Sequence, residues 1–109
     1  MKKFLVIYGM SQDTIKEMMQ NSTPEEQQKN MDEWKVWMEE NKASFADPGA
    51  PAGKNTRLTS DGATEMPNEI GGYSIMQGDS KEAVLEVLKS SPHVGMPGTY
   101  TEVMELMAM

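Results

Sequence analysis

The sequence predicts an α+β fold, in which a four-stranded antiparallel sheet carries helices on one face in the chain order βαββαβ. Three observations support this prediction. An apolar strand opens the chain, two capped amphipathic helices interrupt a series of strand-like segments, and a further strand-like segment ends it. The length of 109 residues is that of one small domain, which we expect to span 1–109.

The first strand is predicted over residues 4–8, the run from Phe4 to Tyr8. This run is continuously apolar, β-branched or aromatic, which is typical of a strand that is buried on both faces. Residues 13–20 could then form a short helix, with its apolar side chains on one side.

A long helix is predicted from Pro24 to about Ala43. Thr23 is a favourable N-cap, proline suits the first helical position, and Glu26 at the third position completes a capping box. One face of this helix is apolar while the other faces are charged. The apolar face carries Met31, Trp34, Trp37 and Met38.

The middle of the chain alternates between short strand-like segments and turns. Residues 44–47 have the composition of a short strand, and 48–53 are predicted to be a turn or irregular loop because they contain two prolines and two glycines. Residues 54–60 alternate in the manner of a strand before a turn at Asp61 and Gly62, and 73–77 form the next predicted strand.

A second amphipathic helix is predicted after Ser80 and ends at Pro92, followed by a last strand over 100–106. Helices thus lie between the first two strands and between the last two, which is the ferredoxin-like arrangement. Two helices cover one face of such a sheet, so the apolar first strand needs a further partner on its other face. We therefore expect a homodimer whose two sheets pack face to face in a barrel-like sandwich.

Methionine is unusually frequent, with 12 residues in the chain. Flexible thioether side chains can fill irregular gaps in a core that one chain only half completes. Four methionines fall on faces predicted to be buried, and three at the C-terminus are expected to help cover a second subunit. The first group is Met18, Met31, Met38 and Met76, and the second is Met104, Met107 and Met109.

Composition and charge narrow the possible functions. The net charge of −7 and the absence of a Lys/Arg cluster argue against nucleic acid or a membrane surface as a partner. The absence of cysteine excludes disulfides, thiolate nucleophiles and sulfur-ligated metals. With one histidine and no phosphate-binding glycine motif, we expect no metal and no cofactor. The chain has no apolar run long enough to cross a bilayer and no export signal, so a soluble cytoplasmic protein is expected.

Two residues are candidates for acid/base chemistry. His93 is the only histidine, and histidine is the side chain that exchanges a proton most readily near neutral pH. Asp47, at the end of a short predicted strand, is placed to orient that imidazole or to take a substrate proton. Each has a structural alternative, since His93 can be an ordinary loop residue and Asp47 can cap the turn that follows it.

Five further residues are candidates for substrate binding. Trp34 and Trp37 are three residues apart on one helix and either line an aromatic pocket or pack in the core. Arg57, the single arginine, either binds a substrate carboxylate or forms a surface ion pair. Tyr8 and Tyr73 can donate hydrogen bonds from their hydroxyl groups to a ligand if their strands face a cleft. Otherwise they are packing residues.

Several short motifs follow one another in a characteristic order. They are Phe4-Leu5-Val6-Ile7-Tyr8, Ser22-Thr23-Pro24-Glu25-Glu26 with Trp34 and Trp37, Asp47-Pro48-Gly49-Ala50-Pro51, Ser60-Asp61-Gly62, Ile70-Gly71-Gly72-Tyr73-Ser74-Ile75, Asp79-Ser80-Lys81-Glu82-Ala83, and Ser91-Pro92-His93 before Thr101-Glu102-Val103.

In the order and spacing of these motifs, the chain resembles the YCII-related (DGPF-type) family of dimeric α+β barrel proteins over nearly its whole length. The resemblance implies a ferredoxin-like dimer with a cleft beside the sheet for small-molecule chemistry. Two features depart from the family. Asp61-Gly62-Ala63-Thr64 stands in place of the Asp-Gly-Pro-Phe signature, and 24–43 lacks the histidine that relatives pair with an acid after this helix.

We therefore expect a small homodimer whose cleft binds a small organic molecule. If it is an enzyme, Asp47 and His93 are the acid/base candidates for elimination, isomerisation or hydrolysis of a small cyclic compound. The alternative is a non-catalytic ligand-binding or accessory module that acts as a homodimer. The missing helix histidine favours this alternative slightly.

Overall fold

A computed structural model describes residues 1–107 of the chain. Residues 108 and 109, and with them the predicted dimer contact of Met109, lie outside the described residues. The elements in chain order are β1 (Lys2–Met10), α1 (Gln12–Asn21), α2 (Pro24–Glu40), a single 3-10 turn (Lys42–Ser44), β2 (Phe45–Pro51), β3 (Asn55–Thr59), β4 (Gly62–Met66), β5 (Ile70–Gly78), α3 (Lys81–Leu88) and β6 (Thr99–Glu105).

Four strands form one sheet in the order β2-β5-β1-β6, and every pair of neighbours is antiparallel. The helix α2 lies between β1 and β2 in the chain, and α3 lies between β5 and β6. This is the ferredoxin-like α+β fold, so the predicted fold class is confirmed. The register places Val6 of β1 opposite Ser74 of β5 and Val103 of β6.

The hydrophobic core lies between this sheet and the helices α2 and α3. Alternate residues of β1 point into it, because successive side chains of a strand point to opposite faces of the sheet. The odd-numbered neighbours Leu5 and Ile7 therefore point to the other face. The core consists of Phe4, Val6, Tyr8, Trp37, Met76, Val84 and Leu88.

The predicted cap of the long helix is confirmed, and its end differs slightly from the prediction. The Thr23 hydroxyl accepts a hydrogen bond from the Glu26 backbone N–H at 3.1 Å. At the other end, the Asn41 side-chain amide donates to the Trp37 carbonyl at 2.8 Å, and the backbone N–H of Asn41 donates to the same carbonyl. These bonds satisfy a terminal carbonyl, so α2 ends at Glu40 and a 3-10 turn follows.

The prediction that residues 48–53 form a turn or loop was wrong for residues 48–51. Residues 45–51 form β2, an edge strand of the main sheet. Edge strands tolerate proline because one row of their backbone groups has no ladder partner. The pairing is irregular on either side of Asp47, and Gly49 adopts a left-handed backbone with φ of 77°. A composition of prolines and glycines thus describes a bulged edge strand here.

The strand predicted over residues 54–60 forms, but outside the main sheet. As β3 it pairs with β4 in a separate two-stranded hairpin, whose turn contains the predicted Asp61 and Gly62. Every residue of β3 is exposed. The fourth strand of the ferredoxin-like sheet is therefore β2, which begins at Phe45, and not the strand predicted over residues 54–60.

The second face of the main sheet carries an apolar patch, and we call this face the open face. The patch consists of Leu5, Ile7, Tyr73, Ile75 and Met104, which the strand register places on the side away from α2 and α3. The same register places Glu102 opposite Ile7 and pairs Asp47 with Ile75, so the patch is bordered by acidic residues. Leu5, Ile7 and Ile75 are partly exposed, and Tyr73 and Met104 are 38% and 40% exposed. This is the face for which the sequence predicts a second subunit.

The methionines predicted to be buried differ in their surroundings. Met76 is fully buried and Met38 is partly buried, whereas Met31 is 54% exposed, so its predicted burial was wrong. Met31 lies on α2 where the helix faces a cleft instead of the core. Within residues 1–107, no helix combines the length and the apolar character that a membrane-spanning segment needs.

Candidate functional site

A cleft of about 470 Å³ opens between α2 and the neighbouring strands β2 and β5. The helix contributes Asn30, Met31, Trp34, Lys35 and Met38 to its lining. These positions share one stripe of the helix surface, because residues three and four apart on a helix are neighbours. Residues 48–51 and 71–73 line the opposite side, and Tyr8 and His93 complete the lining.

His93 is held at the cleft by its own backbone and by its ring. The residue is 6% exposed, and its backbone carbonyl accepts hydrogen bonds from the Thr99 hydroxyl at 2.8 Å and from the Met96 N–H at 3.2 Å. The ring nitrogen Nε2 lies 2.8 Å from the Gly9 carbonyl oxygen and 3.0 Å from the Tyr100 carbonyl oxygen. These contacts attach the loop before β6 to the end of β1.

The two carbonyl partners decide the tautomer of the imidazole. A carbonyl oxygen accepts hydrogen bonds and cannot donate them, so Nε2 of His93 carries the proton. In the neutral ring the lone pair then lies on Nδ1, which has no hydrogen-bond partner within residues 1–107. The hydrogen bonds thus assign the donor role to Nε2 and leave Nδ1 as the acceptor atom of the neutral ring.

Three aromatic rings pack together at the inner end of the cleft. The Tyr8 ring meets the Trp34 ring edge to face at a centroid distance of 5.0 Å, and the His93 ring at 5.7 Å. Trp34 and His93 lie 6.1 Å apart. Edge-to-face contacts of this kind are favourable and orient the rings. They place an apolar wall beside the imidazole.

The Tyr8 hydroxyl forms a hydrogen bond within the wall of the cleft. It donates a hydrogen bond to the Ser74 hydroxyl at 3.1 Å, and Ser74 donates to the Pro48 carbonyl at 2.9 Å. Burial raises the pKa of Tyr8 above its ordinary value of 10.0, and the bond to Ser74 opposes this in part. Tyr8 is thus a neutral phenol that links β1, β5 and the bulged segment of β2.

Asp47 adopts the turn-capping arrangement that was its structural alternative. The residue is exposed, and its carboxylate oxygen Oδ1 accepts a hydrogen bond from the Gly49 N–H at 2.8 Å. This is an Asx turn, in which the side chain closes a turn of its own backbone. Within the described part of the chain, no hydrogen bond joins Asp47 to His93.

The structure separates the other predicted binding residues. Tyr8 and Trp34 lie in the cleft lining, and Tyr73 also lines it, although the register with Ile7 directs its side chain to the open face. Trp37 is a core residue whose Nε1–H donates to the Ser90 hydroxyl at 3.0 Å. Arg57 lies on the exposed hairpin strand β3, away from the residues that line the cleft.

Sequence reasoning missed Lys35 and Ser74. Lys35 comes four residues after Met31 and one after Trp34, so helical spacing alone places it on the cleft stripe. Ser74 is a fully buried polar residue inside an apolar strand, and it shares a face with Val6. Within residues 1–107, no three His, Asp or Glu side chains converge in a group that could hold a metal ion.

The fold and this site define a small ferredoxin-like α+β protein with a cleft beside the sheet. No protein-family model and no curated protein matches the chain. Among solved structures, the chain is similar in fold to the 5-chloro-2-hydroxyhydroquinone dehydrochlorinase TftG from Burkholderia phenoliruptrix AC1100, in complex with 2,5-dihydroxybenzoquinone. The two chains share 18% identity with a TM-score of 0.52, over 92% of this chain and 90% of that one.

Proposed function

We propose that this chain is a YCII-related protein whose cleft binds a small cyclic organic molecule and exchanges a proton with it through His93. The observation that carries the proposal is the pair of hydrogen bonds from Nε2 to backbone carbonyls. It leaves the Nδ1 lone pair of this cleft-lining residue without a hydrogen-bond partner among residues 1–107. The cleft volume of about 470 Å³ lies in the range of small-molecule sites.

In the elimination reaction, the Nδ1 lone pair of His93 takes a proton from a ring carbon of the ligand. The electrons of the broken C–H bond form a carbon–carbon double bond, and the leaving group departs from the adjacent carbon with its own electron pair. This step needs no oxidant and no reductant. The fold likeness to a dehydrochlorinase supports elimination over the isomerisation and hydrolysis that the same base could catalyse.

The variant His93→Gln tests this role, because a glutamine amide keeps an N–H donor for the two carbonyls and lacks the basic nitrogen. A panel of small cyclic acids, lactones and halogenated hydroxyquinones is assayed for turnover, with 2,5-dihydroxybenzoquinone as the first binding probe. We expect ligand binding to persist in His93→Gln while turnover falls at least about a hundredfold. Equal turnover in the two proteins would contradict a catalytic His93.

We propose Asp47 as the second acid/base group, and a pair of variants separates that role from turn capping. In Asp47→Asn the amide oxygen still accepts the Gly49 N–H bond, whereas the negative charge and the basic carboxylate are lost. Asp47→Ala loses both. Catalysis by Asp47 predicts that both variants lose turnover, whereas turn capping alone predicts that Asp47→Asn retains it.

The alternative function is a non-catalytic ligand-binding or accessory module. It is favoured by the absence of a carboxylate among the hydrogen-bond partners of His93 in residues 1–107, since such a partner would stabilise the imidazolium formed in catalysis. In that case wild type and His93→Gln bind the same ligands and neither turns them over.

We propose that the protein acts as a homodimer through the open face. Exposed apolar side chains cost free energy in water, and a two-fold interface lets the apolar patch of one sheet cover that of another. The cleft lies on the opposite side of the sheet, beside α2, so each subunit keeps its own cleft in such a dimer.

A further inference from the structure

We infer that the ligand of the cleft carries a negative charge, and that Lys35 binds this charge at the exposed rim. The inference rests on the proposed small-molecule function of the cleft and goes further by naming the charge of the ligand. It follows from which side chains line the cleft, from the contacts of Lys35, and from the shape of the walls.

The cleft lining is free of acidic residues in a strongly acidic protein. The chain carries 17 Asp and Glu residues and a net charge of −7, yet none of the residues that line the cleft is acidic. Lys35 is the one lysine or arginine of that lining. Among the lining residues, a cationic ligand would therefore meet a like charge and no carboxylate, whereas an anionic ligand would meet an ammonium group.

The ammonium group of Lys35 is available to a ligand. Lys35 forms no ion pair within residues 1–107. The acidic residues three before and four after it on α2 contact other side chains. Asp32 accepts a hydrogen bond from the Gln28 amide at 3.0 Å, and Glu39 lies 3.5 Å from the Lys42 ammonium. Neither Asp32 nor Glu39 forms an ion pair with Lys35, so the ammonium group is left at the rim of the cleft.

The walls of the cleft favour a flat ring as the body of this anion. The indole of Trp34 and the side chain of Met38 form the helix side. On the opposite side, three of the seven lining residues are glycines, and Pro48, Ala50 and Pro51 add short apolar side chains. A Cβ atom on Gly72 would lie 3.1 Å from the Ala50 carbonyl oxygen, so this side is closely packed. A small planar ring with a carboxylate or an ionised hydroxyl group fits such a slot.

Three isosteric planar probes test the charge directly: benzoate, benzamide and benzamidine carry charges of about −1, 0 and +1 at neutral pH. Their affinities are measured by isothermal titration calorimetry with the wild type and Lys35→Met. We expect the wild type to bind benzoate more tightly than benzamide, and benzamide more tightly than benzamidine. In Lys35→Met, benzoate binding weakens about three- to tenfold, while benzamide binding changes less than about twofold.

Lys29→Met is the matched control, because it removes the same charge from the same helix at a position outside the cleft lining. We expect it to leave benzoate binding unchanged. Equal weakening in the two variants would assign the effect to net charge and overturn the role of Lys35. Benzamide or benzamidine binding as tightly as benzoate would overturn the inference and leave the cleft as a small-molecule site. If none of the probes binds, the inference and the proposed cleft function both fail.

Discussion

His93 and Gly9 are joined by a hydrogen bond of 2.8 Å, from the imidazole Nε2 to the backbone carbonyl, across 84 positions of the chain. The bond attaches the loop before β6 to the C-terminal end of β1. It also determines which ring nitrogen carries the proton. One contact thereby contributes to stability and leaves the other nitrogen as the acceptor atom of the neutral ring.

The first prediction concerns this bond and stability. His93→Ala leaves the Gly9 and Tyr100 carbonyls without their donor and removes a buried ring, so the free energy of unfolding should fall by about 2–4 kcal/mol. His93→Gln retains a donor and should lose about half as much. Urea denaturation followed by circular dichroism measures both. Identical losses would show that the hydrogen bonds contribute little.

The second prediction concerns Tyr8 and alkaline pH. Burial raises the pKa of Tyr8 in the folded protein, so the folded state holds this proton more tightly than the unfolded state does. The stability from this difference is fully present below about pH 10 and is lost as the pH rises through the folded-state pKa.

Tyr8→Phe removes this dependence together with the bond to Ser74. At about pH 8 the variant should be less stable than the wild type by about 1 kcal/mol, and the gap should narrow at about pH 11. Urea unfolding of both proteins at the two pH values gives the comparison. A gap that stays constant or widens at high pH would contradict the stated direction of the pKa.

The third prediction tests the cleft wall at Gly49. Its φ of 77° disfavours other residues, and a Cβ atom there would collide with the Tyr73 carbonyl. Gly49→Ala should therefore cost about 2 kcal/mol or more in unfolding free energy and weaken ligand binding in the cleft.

Gly53→Ala is the matched control, because a Cβ atom at that position meets no other atom within 4 Å. It should change stability by less than about 0.5 kcal/mol and leave binding intact. Thermal unfolding and calorimetry of the two variants make the comparison. Equal tolerance of alanine at the two glycines would contradict the left-handed backbone of Gly49 and its close approach to the Tyr73 carbonyl.

The caps and helices were predictable from the sequence because they depend on neighbouring residues. Thr23 and Ser80 bond to backbone groups three residues away, so local patterns suffice to find them. Only the start of the edge strand β2 was predicted, over residues 44–47. Its continuation was missed, since Pro48 is acceptable in a strand only when no further strand pairs beside it.

The same distinction explains the candidate site. The Asx turn of Asp47 is local, and its geometry was foreseen as one of two alternatives. The bond between His93 and Gly9 is distant in sequence, and no periodicity reveals it. Helical spacing alone places Lys35 on the same stripe as Met31 and Trp34. A lysine on a helix is usually solvated, however, so this spacing does not identify a binding residue.

The fourth prediction concerns the open face. Leu5→Lys places a charge in the middle of the apolar patch of the proposed dimer interface, where the cost of burying it should weaken dimerisation at least about a hundredfold. Val36→Lys is the control, because Val36 is an exposed apolar residue on α2 and not on the open face. Sedimentation equilibrium should find dimers for the wild type and the control. A wild type found only as a 12.1 kDa species would contradict the dimer.

The most direct test of the central claim is the ¹⁵N spectrum of the imidazole, because the chain contains one histidine and its signals need no assignment. We predict the Nε2–H tautomer for the neutral imidazole, with an Nδ1 signal typical of an unprotonated nitrogen, and an Nδ1 shift when 2,5-dihydroxybenzoquinone or benzoate is added. An Nδ1–H tautomer, or an Nδ1 signal that bound ligand leaves unchanged, would contradict His93 as the proton acceptor of the cleft.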